Sequence, residues 1–347
     1  MLRIVDANLN RIGEGLRVLE DVARFILDDP DLSLQLKALR HDILPTDTGL
    51  RKRLIAARRA DEDVGAFLDV SGEGERRDIA ALVGANSRRI EQSLRVLEET
   101  TKMPRQEFGL DWEKLKDARF RVYELEQAIT LKLSRRDKTE RIAGVYLILD
   151  TESLKGRDGL EVTRIATRAG AHVVQLRDKT LPRGELLTLA ENVRKVCAES
   201  GALFIVNDYL DVALASGADG LHVGQGDLPV AAARGLLPAD KIVGCSAAVV
   251  EEAVRAREDG ADYVAVGSIY ESPSKSGTRL AGLETLREVR HRVSLPLVAI
   301  GGINEENAAE VMEAGADAVA VISAVLGAGD IEDACRRLTA KIGGNRQ

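Results

Sequence analysis

The chain has 347 residues, of which 45% are hydrophobic and 30% are charged, and its formal net charge is −7. This length and apolar content predict one large α/β domain with a smaller companion, and the acidic balance excludes a general attraction for nucleic acid or an anionic membrane surface. The three cysteines have no metal-type spacing, and no apolar window has the length of a signal or a membrane span. We therefore expect a cytoplasmic protein without disulfides or structural zinc.

The first 135 residues are predicted to form an all-α domain, because their apolar residues recur with a helical period and almost no β-like run interrupts them. They also contain a repeat. The segment ANLNRIGEGLRVLED from Ala7 aligns without gaps on ANSRRIEQSLRVLEE from Ala85, and LKALRHDI from Leu36 is echoed by LKDARFRV from Leu115. We expect two pseudo-equivalent helical units, either related by an internal twofold axis or stacked face to face.

A helical wheel of the first copy places two polar residues among apolar ones. Asn8 and Arg11 lie in the apolar sector, and Asn86 and Arg89 are their counterparts in the second copy. A buried arginine without a partner is costly, so the wheel predicts a partner for each arginine. A carboxylate of the other repeat and a phosphate bound near a helix N-terminus both fit, and both remain open.

The second part of the chain is predicted to be a (β/α)8 TIM barrel over residues 143–347, which makes the fold class α/β. Short β-like runs begin at about Gly144 and alternate with amphipathic helical stretches. Their number is that of a closed parallel barrel: GVYLILD, HVVQLRD, LFIVND, GLHVGQ, IVGCSA, YVAVGSIY, LPLVAIGG and AVAVIS. The charged segment before them, residues 136–142, has no apolar period and is predicted to be a linker.

Polar residues follow these β-like runs, and in a barrel the segments after the strands converge on one face. Three of the polar residues are cations, namely Arg177, Lys179 and Lys275. Two cations about 4 Å apart repel by about 4 kcal/mol in an intermediate dielectric, and an anion between them removes that repulsion. We therefore expect a multiply charged anion to bind at this face.

Two aspartates, Asp208 and Asp227, follow adjacent predicted strands. Paired carboxylates without a nearby cysteine ligand favour Mg²⁺ that also binds a substrate phosphate. The alternative for Asp208 is that it caps the following helix. No histidine lies in a Ser-His-Asp or Cys-His pattern, and His222 is predicted to lie in the core or the pocket wall. A site for diphosphate and metal without an obvious base suits a reaction in which diphosphate leaves and a ready nucleophile attacks.

Seven segments of the second domain resemble thiamine phosphate synthase in order and spacing: QLRDK, ND, ADGLHVGQGDLP, GCS, YVAVGSIYESPSK, AIGGI and VIS. That family joins hydroxymethylpyrimidine diphosphate to thiazole phosphate and releases diphosphate. The resemblance implies Mg²⁺ as cofactor and a dissociative mechanism, in which the aminopyrimidine supports a methylene cation that the thiazole nitrogen captures. No protein nucleophile is required.

The resemblance also implies roles for single residues. Metal binding falls to Asp208 and Asp227, and the diphosphate is held by Arg177, Lys179, Asn207 and Lys275. Gln175 contacts the pyrimidine, Ser246 lies beside pyrimidine and diphosphate, and Asp178 is included with the substrate-binding residues. The thiazole phosphate is received by Ser272, Ser274, Gly302, Ile322 and Ser323. The residues expected to act in catalysis are Arg177, Lys179, Ser246 and Lys275. The sequence departs from the family pattern at Ser268, Ser272, Ser274 and Ala248, which bears on thiazole affinity more than on chemistry.

The paired ANxxRI…LRVLE motifs of the first domain resemble the small helical domain often fused before this synthase. That family is associated with phosphorylating hydroxymethylpyrimidine phosphate, which implies ATP and Mg²⁺ as cofactors. Its candidate site residues here are Asn8, Arg11, Asn86 and Arg89. Residues 1–135 contain no Walker A loop and no G-x-G-x-x-G motif, and a dimerisation module is the alternative.

Two other functions of the barrel remain open. One is a thiazole tautomerase of the same lineage, which the charged residues argue against because an isomerase needs no grip on diphosphate. The other is a non-catalytic, ligand-sensing barrel with a helical interaction module. The expected partners are small-molecule substrates, with no nucleic acid and no membrane, and the protein is expected to be a homo-oligomer, a dimer.

Overall fold

The computed structural model describes residues 1–44, 47–58, 76–104, 109–271 and 279–343. The chain divides into two compact units, residues 1–134 and residues 135–347. None of the described helices combines the length and the apolar composition that crossing a membrane requires.

The first unit contains helices and no strand within its described residues. The helices are α1 (Leu2–Phe25), α2 (Pro30–Ile43), α3 (Thr48–Ala56), α4 (Ile79–Thr101) and α5 (Trp112–Glu140), the last of which ends in the second unit. Asp29, Asp47 and Asp78 cap α2, α3 and α4 by accepting hydrogen bonds from backbone N–H groups of the first turn. Apolar side chains of all five helices pack into one core. The predicted all-α region is confirmed.

The sequence repeat is a repeat of helix pairs, α1 with α2 and α4 with α5. The same ion pair joins the two helices of each pair. Arg40 Nη2 lies 2.9 Å from Glu20 Oε2, and Arg119 Nε lies 2.7 Å from Glu98 Oε1, at equivalent positions of the two copies. Both carboxylates are nearly buried, so each requires the cation beside it. The internal repeat in the sequence therefore includes an equivalent ion pair in the structure.

The prediction that Arg11 and Arg89 are buried is wrong, because both are exposed. Val18, an apolar residue of the same helix, is itself only half-buried. The buried side of α1 therefore ends before Arg11, whose long side chain reaches water. Neither arginine needs a carboxylate or a phosphate to compensate its burial.

The two asparagines are buried as the wheel predicts. Each side-chain amide donates to a carbonyl one turn earlier in its own helix, Asn8 Nδ2 to Ile4 O at 2.8 Å and Asn86 Nδ2 to Leu82 O at 2.9 Å. This i−4 bond satisfies one amide proton within the helix. The same bond in both copies is a further sign of the repeat.

The second unit is a closed barrel of parallel strands, which confirms the predicted TIM barrel. Each strand pairs with the next, and the last pairs with the first. The strands are β1 (Gly144–Asp150), β2 (Ala171–Arg177), β3 (Leu203–Asn207), β4 (Gly220–Val223), β5 (Ile242–Ala247), β6 (Tyr263–Gly267), β7 (Leu297–Ile300) and β8 (Ala318–Val321).

Helices alternate with the strands and surround them. They are α6 (Gly159–Arg168), α7 (Arg183–Ser200), α8 (Leu210–Ser216), α9 (Val230–Leu236), α10 (Val250–Glu258), α11 (Gly282–Arg292), α12 (Ala308–Glu313), α13 (Ser323–Leu326) and α14 (Ile331–Gly343). Outward-facing strand residues pack against these helices in one core, and inward-facing residues fill the barrel in another. This alternation follows from the pleat of the strands.

The segment predicted as a linker, residues 136–142, is helical as far as Glu140 and contacts the barrel unit. Lys138 Nζ lies 3.4 Å from Asp219 Oδ1 and 3.2 Å from Asp240 Oδ2. Just before the segment, Arg135 Nε lies 3.4 Å from Asp262 Oδ1. These contacts explain why a stretch of charges without an apolar period is ordered.

Candidate active site

The ends of β1 and β2 carry a pair of oppositely charged side chains. Arg177, the last residue of β2, donates from Nη1 to Asp150 Oδ1 at 2.5 Å. Asp150 is the last residue of β1, and it also accepts from Ser153 N and Oγ at 3.2 and 2.6 Å. The aspartate thereby fixes the guanidinium at the mouth of the barrel. Asp150 was not predicted from the sequence, although it is the one charged residue of the run GVYLILD.

Asp178 follows β2 and is buried. Its carboxylate accepts from Thr180 N at 2.7 Å, from Leu181 N at 2.6 Å and from the Thr151 hydroxyl. Burial raises the pKa of this carboxyl, but the hydrogen bonds outweigh burial and hold the pKa below its ordinary value. Asp178 therefore orders the loop that carries Lys179, and its contact with substrate stays a prediction.

Lys179, Asp208 and Asp227 lie together at the ends of β2, β3 and β4. Lys179 Nζ forms an ion pair with the Asp208 carboxylate, whose side chain is 7% exposed. Burial raises the pKa of Asp208, the ion pair with Lys179 opposes this effect, and the neighbouring Asp227 adds to it. Burial acts on Asp227 too, but hydrogen bonds from Asp208 and from Gly224 N, the latter at 2.9 Å, hold its pKa below the ordinary value.

Two facing carboxylates repel unless a proton or a cation lies between them. Their oxygen donors suit Mg²⁺, which binds through one or two carboxylates, waters and substrate phosphates. Within the described ranges, no group of three or more His, Cys, Asp or Glu side chains is arranged to hold a metal. The alternative role of Asp208 as a helix cap is wrong, since α8 begins at Leu210 after Tyr209 and has no side-chain cap.

A row of hydrogen-bonded polar side chains crosses the barrel interior beneath this cluster. Gln175 Nε2 donates to Tyr146 Oη at 3.1 Å, and Tyr146 Oη lies 2.8 Å from Tyr263 Oη. His222 joins Tyr263 Oη through Nδ1 at 3.0 Å and Ser246 Oγ through Nε2 at 2.9 Å. The row connects the two residues that were predicted to lie at the pyrimidine, Gln175 and Ser246.

Tyr146 and Tyr263 were not predicted as site residues, because a tyrosine in an apolar run is typical of an ordinary strand. His222 is buried in the barrel and contacts Ser246, so it belongs to both the core and the site. Asn207, the last residue of β3, is buried opposite His222 in the β3–β4 register.

Residues predicted at the thiazole phosphate follow β7 and β8. Gly302 has a φ of +65°, and an added Cβ would lie 2.7 Å from Tyr270 Cβ, so this position requires glycine. Ile322 and Ser323 directly follow β8, and Ser323 begins α13. Ser272, Ser274 and Lys275 lie outside the described residues.

Comparison with known proteins identifies both regions of the chain. Residues 145–325 match the family described as "Thiamine monophosphate synthase", and residues 3–128 match the ThiD2 family. A thiamine-phosphate synthase of Thermosynechococcus vestitus is 40% identical over 341 residues, covering 98% of this chain and 94% of the relative. One of Moorella thermoacetica is 52% identical over 196 residues, 56% of this chain and 93% of the relative.

A solved structure agrees with these matches. The thiamine phosphate pyrophosphorylase from Pyrococcus furiosus is 38% identical, covers 59% of this chain and 97% of its own, and has a TM-score of 0.55. The barrel with its charged mouth and the sequence relatives of nearly full length lead to one conclusion: the chain belongs to the thiamine monophosphate synthase family, with a ThiD2-family region before the barrel.

Proposed function

We propose that the barrel joins hydroxymethylpyrimidine diphosphate to thiazole phosphate, forming thiamine phosphate and diphosphate. The observation that carries the proposal is the cluster of Lys179, Asp208 and Asp227, with Arg177 at the end of the strand that precedes Lys179, in a chain of this family. Cations and a carboxylate pair at one barrel mouth suit a leaving group with several negative charges.

Asp208 and Asp227 would hold Mg²⁺, because their carboxylates face each other and one of them is nearly buried. When bound, the ion neutralises charge on the departing diphosphate. Arg177, fixed by Asp150, and Lys179 would add positive charge from the neighbouring strand end. Preorganised charges of this kind stabilise a leaving group without reorganising during the reaction.

Gln175 and Ser246 would orient the pyrimidine ring, while the thiazole nitrogen supplies the electron pair for the new bond. A protein nucleophile has no place in this scheme. Cys245, the thiol next to Ser246, is buried, and burial raises its pKa to about 11, so the thiol stays protonated. Gly302, Ile322, Ser323, Ser272 and Ser274 remain the proposed thiazole phosphate site, and Lys275 a proposed diphosphate ligand.

The test is release of diphosphate and formation of thiamine phosphate by the purified full chain with both substrates. We expect both products in a one-to-one ratio with Mg²⁺, and neither with excess chelator. Equal rates with and without chelator would refute the proposed requirement for Mg²⁺. A thiazole tautomerase would instead rearrange thiazole phosphate without any pyrimidine substrate, and a ligand-sensing barrel would bind both substrates without turnover.

For the helical unit we propose phosphorylation of hydroxymethylpyrimidine phosphate by ATP with Mg²⁺. The match of residues 3–128 to the ThiD2 family supports this proposal, since the product would be the substrate of the barrel. Arg11 is exposed, so its position gives this proposal no support. The test is formation of ADP and pyrimidine diphosphate by the full chain without thiazole phosphate. A unit that binds neither ATP nor the pyrimidine phosphate by calorimetry would be the dimerisation module instead.

A further inference from the structure

Resting on the proposed synthase function, we infer that Tyr146, Tyr263 and His222 are positioning residues for the pyrimidine. Their hydrogen bonds set the direction in which the Ser246 hydroxyl and the Gln175 amide face the substrate. The three side chains lie inside the barrel and need not touch substrate themselves, so their effect passes through the two residues at the ends of the row.

The direction of the row follows from a count of protons at Tyr146. Its hydroxyl accepts a hydrogen bond from Gln175 Nε2, and the residue is 1% exposed, so its proton is out of reach of bulk solvent. Tyr263 Oη, at 2.8 Å, is the partner that the structure offers for that proton. If Tyr263 donated to Tyr146 instead, the buried Tyr146 proton would lose its acceptor, which is costly.

The rest of the row then has one consistent arrangement. Tyr263 donates its own proton to His222 Nδ1, so the imidazole carries its proton on Nε2. Nε2–H donates to Ser246 Oγ. The Ser246 proton is thereby left to donate towards an acceptor on the substrate, either a ring nitrogen or a phosphate oxygen. At the other end, Gln175 Oε1 is left to accept from an amino group.

Packing holds Tyr263 and His222 in place. Tyr263 stacks on His222 with 5.6 Å between ring centroids and 29° between ring planes. The phenol ring occupies space that Gly244 leaves open, because a Cβ there would lie 2.0 Å from Tyr263 Cζ. Burial raises the pKa of Tyr146 and Tyr263 far above the ordinary value, so both hydroxyls keep the protons that the row requires.

The tautomer of His222 is the first test and needs no ligand. Long-range ¹H–¹⁵N correlation on the labelled full chain distinguishes a protonated Nε2 from a protonated Nδ1. His41, His172 and His291 are exposed, and a spectrum of His222→Gln identifies the His222 signals. We expect the Nε2–H form in the wild type and mixed tautomers in Tyr263→Phe. A wild-type Nδ1–H form or a doubly protonated ring would overturn the inference.

The second test asks whether Tyr263 acts through Ser246. We expect Tyr263→Phe to lower the synthase kcat roughly tenfold in the wild type and by less than about twofold in a Ser246→Ala background. Equal losses in both backgrounds, or none in the wild type, would overturn the inference, because a structural role lowers both rates alike. If Tyr263→Phe does not fold by circular dichroism, Tyr146→Phe carries the same comparison. Tyr123→Phe, on an exposed face of α5, is the matched control and should leave kcat unchanged.

The outcomes separate this inference from the proposed function. A folded wild-type chain that makes no thiamine phosphate would refute the synthase proposal. In that case the His222 spectrum would still decide the direction of proton donation along the row, because those hydrogen bonds join protein groups alone.

Discussion

Asp208 shows at the scale of one residue how the site is built. Its φ of +63° lies in the left-handed region, which costs free energy even for aspartate, a residue that tolerates the region better than most. Its carboxylate is also nearly buried next to Asp227. Such strain persists where the surrounding structure enforces it, and it is concentrated at functional sites. The backbone thus directs this carboxylate towards its neighbour.

We predict that Asp208→Asn or Asp227→Asn lowers synthase turnover by roughly two to three orders of magnitude, because each removes a charge that would hold the cation at the leaving group. The fold should survive, as near-ultraviolet circular dichroism would show. Asp211→Asn is the matched control, since the Asp211 side chain, in the first turn of α8, is 70% exposed and lies 3.9 Å from Arg183. Full activity of either site variant would contradict the metal assignment.

Glu91 of the helical unit is a second residue with an unusual titration. Burial, followed by the neighbouring Glu126, raises its pKa from 4.5 to about 7. A carboxyl whose pKa is raised in the folded state binds its proton more tightly when folded. The free energy of unfolding therefore falls as pH rises between about 4.5 and 7.

Replacing Glu91 with Gln should remove that loss. We predict a higher melting temperature than wild type above neutral pH, with the difference shrinking as pH falls towards the ordinary carboxyl pKa. Melting curves of the full chain across this pH range provide the measurement. Glu124→Gln, at an exposed position of α5, should show no such pH-dependent gain. A constant difference at every pH would argue against the raised pKa.

Among the elements, the last turns of α5 have the clearest consequence for stability. Arg135 and Lys138 contact aspartates of the barrel unit, and Ile142, just beyond the helix, is buried in the barrel core. Removing these residues would leave Asp262, whose side chain is 12% exposed, with Arg234 as its remaining ion-pair partner.

We predict that a fragment of residues 135–347 melts several degrees above one of residues 143–347. Losing a buried isoleucine and weakening partly buried ion pairs costs about 2 kcal/mol or more, and each kcal/mol is about 2–4 °C for a domain of this size. Differential scanning calorimetry of the two fragments would measure the difference in melting temperature. Arg136→Ala in the longer fragment is the control, because Arg136 is exposed and pairs with exposed Glu140. Equal melting temperatures would mean that the helix end adds nothing to the barrel.

The barrel and most of its charged mouth could be predicted from sequence, because each strand is a short apolar run that ends in a polar residue. The buried face of α1 and the C-terminal end of α5 were harder to predict. A helical wheel cannot decide whether Arg11 is buried, because Arg11 lies beside the edge of the buried sector. The charged segment of residues 136–142 is ordered by partners that lie about 100 residues away in sequence, as for Lys138 and Asp240. The row of hydrogen-bonded polar side chains could be recognised only from the structure. The pleat of each strand decides whether a side chain faces the barrel interior, and a tyrosine in an apolar run does not reveal it.

At the scale of the whole molecule, every residue proposed for the synthase reaction lies in the second unit, after residue 134. We predict that residues 135–347 alone make thiamine phosphate from pyrimidine diphosphate, with kcat within about threefold of the full chain, a change of less than 1 kcal/mol in the barrier. The full chain is the control at equal concentration. A fragment that is folded yet inactive with saturating substrates would show that the helical unit completes the site.

The helix repeat has a consequence for how such a unit can change. If each half were a separate chain, a symmetric dimer would carry every substitution twice. Here both halves keep the ion pairs Glu20–Arg40 and Glu98–Arg119, yet Gly13 of the first half corresponds to Glu91 of the second. A Cβ at Gly13 would lie 3.3 Å from Leu44 Cδ1, so a side chain in the first half would require Leu44 to shift. Joining the halves in one chain frees one copy to acquire an ionisable group while the other preserves the packing.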